Sequence, residues 1–81
     1  MLNIDCWTKT NDMHGFGGIS QNLMTLEECQ ATCINDNICV AIDWEPSNVG
    51  RSCWILTSTD TGETAQRGVI AHYELHRNCL S

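Results

Sequence analysis

Residues 25–44, TLEECQATCINDNICVAIDW, together with residues 52–56, SCWIL, decide the fold of this chain. Thr25 is followed three residues later by Glu28, the spacing of a capping box, in which each residue satisfies a backbone amide of the other. The two acidic residues of the first turn also suit the positive end of a helix dipole. The pattern therefore predicts an α-helix over about Leu26–Ile34.

The predicted helix carries two cysteines on one face. Cys29 and Cys33 are four positions apart, so their side chains point the same way, toward whatever element carries their partners. Residues 35–37, Asn-Asp-Asn, are expected to end the helix, because these residue types favour turns and tolerate left-handed backbone.

Two short apolar runs follow the helix, at residues 38–44 and 52–56, and the loop between them contains Pro and Gly. This arrangement predicts a β-hairpin. In its first strand, period-two alternation defines two faces, one with Val40, Ile42 and Trp44 and the other with Cys39, Ala41 and Asp43. In its second strand, alternation places Cys53 and Ile55 opposite Trp54 and Leu56.

Outside this centre, residues 68–75 predict another strand and residues 4–7 a short one. Residues 57–67 have almost no apolar content and predict a solvated loop. Residues 14–18, His-Gly-Phe-Gly-Gly, predict a flexible loop.

The chain has 81 residues and six cysteines, a density typical of a disulfide framework formed in an oxidising compartment. A domain of this size buries only about 60% of the surface of its unfolded chain, so covalent links add needed stability. The alternative is a zinc site built from Cys29-x3-Cys33 and His72-x3-His76. That site leaves four cysteines unused, so three disulfides are the favoured prediction.

The formal net charge is −6, and the four basic residues are scattered along the sequence. No basic stripe suits nucleic acid or an anionic membrane, so neither is an expected partner. No segment approaches the ~20 apolar residues of a membrane span, and the first residues lack the features of a signal peptide. We therefore expect an excised domain of a larger secreted or membrane-tethered protein, with Met1 as an expression start.

The cysteine order and its surroundings resemble the PAN/apple domain family. The resemblance lies in residues 26–33, LEECQATC, residues 39–44, CVAIDW, and residues 53–56, CWIL, and it extends from Cys6 to Cys79. It implies one domain over residues 4–80 with an α+β fold, in which one helix packs across a curved antiparallel β-sheet. It also implies three disulfides: Cys6–Cys79, Cys29–Cys53 and Cys33–Cys39.

An enzyme is not expected. No nucleophile elbow is present, and every cysteine is needed for a disulfide. Asp43 and Glu45 are two carboxylates on one strand face, but a chain this small can hardly enclose a cleft that shifts their pKa values. No cofactor and no metal are predicted.

The resemblance implies a noncatalytic extracellular recognition module. We expect it to bind another protein, in adhesion or in assembly of a multidomain parent; the alternative is a lectin-like site for neutral glycans, which the acidic balance favours over sulfated ones. A glycan site requires a shallow polar pocket with an aromatic wall, whereas a protein site requires an exposed apolar patch. The candidate ligand-binding residues are Trp7, Asp12, His14, Asn48, Arg51 and Trp54.

Several other residues are expected to be structural. Trp44, Trp54 and Tyr73 are predicted to have structural, packed roles, while His72 and His76 are predicted to be ordinary surface histidines. Trp7 and Trp54 each follow a cysteine that is expected to point inward, so alternation directs both indoles to the opposite face. Loops carry function more often than strands, which favours residues 11–18 and 46–51 for a ligand contact.

Overall fold

A computed structural model describes residues 6–22, 25–63 and 67–79. These residues form one helix, α1, at Leu26–Ile34, and seven strands: β1 Cys6–Asn11, β2 Met13–Gly15, β3 Ile19–Gln21, β4 Ala41–Trp44, β5 Cys53–Leu56, β6 Thr61–Glu63 and β7 Ala71–His76. The ends of the predicted domain, residues 4–5 and 80, lie outside the described residues.

The strands form two antiparallel sheets. The larger has five strands in the order β1-β7-β4-β5-β3, and the smaller is a ribbon of β2 and β6. The predicted hairpin is present as β4 and β5, with Ile42 opposite Ile55. The chain is thus a small disulfide-rich α+β domain, as predicted.

The helix has the predicted bounds and the predicted capping box. The Glu28 amide donates to Thr25 Oγ1 at 3.1 Å, and the Thr25 amide donates to Glu28 Oε1 at 3.0 Å. The helix ends at Asn35 as expected, but that residue keeps a right-handed conformation, with φ of −80°. The left-handed backbone that asparagine tolerates is therefore not used here.

Arg77 holds the C-terminal end of α1, although the last turn itself contains no basic residue. Its guanidinium donates to Ile34 O at 2.9 Å, and its Nη2 donates to three further carbonyls, those of Cys33, Asp36 and Cys39. The last carbonyls of a helix have no partner within the helix. Arg77 supplies one to Ile34 O, while Cys33 O and Asp36 O also accept the backbone amides of Asp36 and Cys39. A cation here also opposes the negative end of the helix dipole.

All three predicted disulfides are present, in the pairs that the resemblance implies. Cys29 and Cys53 join α1 to β5, with 5.6 Å between their Cα atoms. Cys33 and Cys39 close the turn after the helix at 5.2 Å, and Cys6–Cys79 links the two ends of the described chain at 5.9 Å. Three disulfides in a domain this small are typical of extracellular proteins.

The main core lies between α1 and one face of the large sheet. Its buried residues are Cys29, Cys33, Cys39, Ile42, Cys53, Ile55, Tyr73 and Leu75. Trp7 packs against this core, opposite Leu75 on the neighbouring strand. The expected outward direction of Trp7 is therefore wrong, because its neighbour Cys6 belongs to the terminal disulfide and not to the core.

The opposite face of the sheet is also covered, by the β2–β6 ribbon. Ala41, Asp43 and Leu56, which alternation places away from α1, are all less than 4% exposed. The ribbon corrects the predicted loop at residues 57–67, since β6 lies inside that segment and pairs with β2. The residues of β6 are Thr-Gly-Glu, which carry no apolar pattern that would predict a strand. They form one because they pair with β2.

We expect Arg77→Lys to lower the free energy of unfolding by about 1–3 kcal/mol, because an ammonium cannot reproduce bonds from two guanidinium nitrogens to four carbonyls. Denaturant unfolding with the disulfides intact measures the change. Arg51→Lys is the matched control, since Arg51 is an exposed residue of the β4–β5 loop, and we expect it to change stability by less than about 0.5 kcal/mol. Equal stability of the two variants would contradict the role given to Arg77.

Candidate functional site

The helix leaves part of the sheet uncovered. It packs against β4 and β5, and a helix is about 10–12 Å across, whereas five strands span about 19 Å. The face of β1 and β7 on the same side of the sheet is therefore open toward its far end. A cleft of about 430 Å³ lies there.

The strand register explains the shape of this cleft. Across β1, β7 and β4, Asn11 lies opposite Ala71, which lies opposite Trp44. The small Ala71 side chain thus forms a floor between a polar and an aromatic neighbour, and we call this depression the Ala71 cleft. In the next row Lys9 lies opposite Tyr73, with the Lys9 ammonium 5.8 Å from the ring centroid.

The far rim of the Ala71 cleft is held by Asp12. Asp12 has a left-handed backbone with φ of 60°, a conformation that aspartate adopts more readily than most residues. Its amide donates to Ile70 O at 3.1 Å, and its Oδ1 accepts the Gly68 amide at 2.7 Å. These two bonds hold the turn after β1 against the segment that leads into β7.

A second cleft, of about 370 Å³, lies at the opposite face of the sheet. We call it the glycine-loop cleft, after the residues of the β2–β3 segment that line it. Its lining residues are His14, Gly15, Gly17, Gly18, Asp43, Glu45, Trp54, Leu56 and Ile70.

A buried pair, Asp43 and His72, underlies the glycine-loop cleft. His72 Nδ1 donates to Asp43 Oδ1 at 2.8 Å, and the Gly15 amide donates to Asp43 Oδ2 at the same distance. His72 is 3% exposed, so its prediction as a surface histidine is wrong. The prediction failed because the ribbon covers this face of β7. The other ring nitrogen, Nε2, is buried and has no hydrogen-bond partner among the described residues.

The predicted site residues separate into four groups, the first of which is Trp7 alone, which packs against the main core and lines neither cleft. Asp12 lines the Ala71 cleft, whereas His14 and Trp54 line the glycine-loop cleft. Asn48 and Arg51 lie in the β4–β5 loop, where the Asn48 amide group donates to Glu45 Oε1 at 3.2 Å and Asn48 O accepts the Arg51 backbone amide.

The sequence interpretation missed most of the Ala71 cleft. Trp44 and Tyr73 were expected to be packed, which is correct, but both also line this cleft together with Lys9, Asn11 and Ala71. A small residue between larger ones on a strand was the available signal. This signal can be interpreted only when the neighbouring strands are known.

No protein-family model, curated protein or solved structure matches the chain. Within the part of the chain that the structure describes, no three His, Cys, Asp or Glu residues cluster as metal ligands would. The same part contains no helix with the length and apolar character needed to cross a membrane.

We expect Asp43→Asn to destabilise the domain by about 2 kcal/mol, because the new amide group turns an N–H toward either His72 Nδ1 or the Gly15 amide and leaves a buried donor unsatisfied. Thermal unfolding followed by near-ultraviolet circular dichroism measures the effect. Glu45→Gln, two positions along the same strand face, is the control and should change stability little. A stable Asp43→Asn variant would show that the pair does not hold the ribbon.

Proposed function

We propose that this domain is a noncatalytic extracellular recognition module related to the PAN/apple family. The supporting observations are the three disulfides, which pair as the resemblance implies, and the single helix packed across an antiparallel sheet. The acidic composition argues against nucleic acid and anionic membranes as partners.

The buried chemistry of the domain supports a noncatalytic role. The Asp43–His72 pair resembles the orienting half of a catalytic triad, but both Asp43 oxygens are engaged and His72 Nε2 is buried. A substrate arriving from solvent has no access to that nitrogen. All cysteines are disulfide-bonded, so no thiolate nucleophile is present.

The geometry best supports carbohydrate binding in the Ala71 cleft. The observation that carries this proposal is the arrangement of Asn11, Ala71 and Trp44 across three strands. An indole wall offers an apolar face to the C–H side of a sugar ring, while an amide both donates to and accepts from hydroxyls. A small alanine floor leaves room for the ring between them. Shallow apolar sites with a few placed polar groups are typical of ligand clefts.

An array of diverse glycans, probed with the oxidised domain presented multivalently, tests this proposal. We expect one class of sugar to bind, and Ala71→Leu to abolish binding by filling the floor of the cleft. Asn11→Ala should weaken binding about tenfold by removing hydrogen bonds to the sugar. Thr10→Ala is the matched control, because Thr10 is the adjacent β1 residue and points to the other face. Binding that survives Ala71→Leu in a folded variant would place the sugar elsewhere.

Protein recognition is the second candidate function. It is favoured by two large apolar side chains on loops. Phe16, which lies between residues that line the glycine-loop cleft, is 54% exposed, and Val49, in the β4–β5 loop, is 97% exposed. Loops commonly carry binding residues, and exposed apolar groups mark contacts with another protein where they form a contiguous patch. The partner would be an extracellular protein or another part of the multidomain parent.

We expect the double variant Phe16→Ser, Val49→Ser to lose at least tenfold in affinity for any protein that the domain captures from the extracellular fraction of its source, because it removes the exposed apolar contacts. Surface plasmon resonance with the purified partner measures the loss. Ile38→Ser, at a 67% exposed position after the helix, serves as the control. Unchanged affinity in the double variant would remove these loops from the interface.

A further inference from the structure

The charges near the Ala71 cleft differ from the charge of the whole chain. The chain has ten acidic and four basic residues, yet two of those basic residues, Lys9 and Arg67, lie at this cleft. Lys9 lines it, and Arg67 Nη1 is 3.8 Å from the Asp12 carboxylate at the rim. They are 58 positions apart in the sequence, and the pairing of β1 with β7 brings the two segments together.

The carboxylate of the cleft is already engaged. Asp12 Oδ1 accepts the Gly68 amide, and Oδ2 faces the Arg67 guanidinium. Lys9, by contrast, has the face of the Tyr73 ring beside its ammonium. Among the described residues, no carboxylate oxygen lies within 4.0 Å of Lys9 Nζ. The cleft therefore presents one cation without an ionic partner in the described chain.

The Lys9 ammonium lies close to the Ala71 floor of the cleft. Tyr73 and Ala71 are two residues apart on β7, so their side chains share a face and are separated by about 7 Å. A sugar ring lying on Ala71 against Trp44 thus has its edge close to the Lys9 ammonium above Tyr73. Charges more than about 8 Å from this point are largely screened at physiological ionic strength, so the nearby groups have the largest effect.

We infer that the saccharide bound in the Ala71 cleft carries a carboxylate, which pairs with Lys9. This inference rests on the proposed carbohydrate function and names its ligand class, an acidic pyranose. It replaces the neutral sugar predicted from net charge, since the local charges are those that the ligand meets. One ammonium suits a single carboxylate; a densely sulfated chain would require a longer basic surface.

Nuclear magnetic resonance titration of the ¹⁵N-labelled domain tests the inference with a matched pair of ligands. Methyl β-D-glucuronide and methyl β-D-glucoside differ only in a carboxylate in place of a hydroxymethyl group. The indole N–H signal of Trp44 reports on the cleft, while those of Trp7 and Trp54 serve as internal references. We expect the glucuronide to bind about two- to fivefold more tightly, because Lys9 is exposed and an exposed ion pair contributes at most about 1 kcal/mol.

Two substitutions test whether Lys9 causes the preference for the glucuronide. Lys9→Met keeps an apolar stem over Tyr73 but removes the charge, so it should abolish the preference, and the two sugars should then bind with equal affinity. Lys9→Arg keeps a cation and should retain the preference. A preference that persists in Lys9→Met would assign it to another group and overturn the inference.

The remaining outcomes separate this inference from the proposed function. Equal affinity for the two sugars overturns the carboxylate but leaves a carbohydrate site. Equal shifts with acetate, or with N-acetylglutamate methylamide as a model of an acidic protein side chain, overturn the pyranose as the ligand. No Trp44 shift with either sugar overturns the inference, and the glycan array then decides independently whether the domain binds any carbohydrate.

Discussion

The disulfide between Cys29 and Cys53 determines where the only helix of the described chain lies on the sheet. It joins α1 to β5, so the helix packs against β4 and β5 and leaves the end of that face at Asn11, Ala71 and Trp44 open. In the chain-entropy model, closing a loop of this length stabilises the fold by about 3 kcal/mol. The same link that supports a small core therefore also creates the open surface on which the Ala71 cleft forms.

Long-range polar contacts stabilise the fold together with the disulfides. Arg77 satisfies carbonyls at the end of α1 and in the following turn, from 38 to 44 positions away in the sequence. Asp12 similarly holds the segment before β7, and Asp43 holds the β2–β6 ribbon through the Gly15 amide. In each case a side chain bonds to backbone groups of a segment far away in the sequence. Such bonds replace the packing that a chain of this size cannot supply.

The proposed ligand depends more on the charges close to the cleft than on the net charge of the chain. Lys9, Arg67 and Arg77 are isolated in the sequence, yet Arg77 is engaged by carbonyls while the other two lie near one cleft. Screening limits the reach of the acidic residues elsewhere. The second cleft, with Asp43 and Glu45 in its lining, has the opposite local character. The two faces of the sheet therefore offer chemically different surfaces.

The local sequence by itself determined the helix with its capping box, the central hairpin and the disulfide-rich α+β class, because these depend on spacings within short stretches. Only the tertiary structure decided that Trp7 enters the core, that His72 is buried beside Asp43, and that residues 61–63 form a strand. The Ala71 cleft belongs to this second group. Its floor and walls come from β1, β4 and β7, and the sheet register that aligns them arises from hydrogen bonds between segments far apart in the chain.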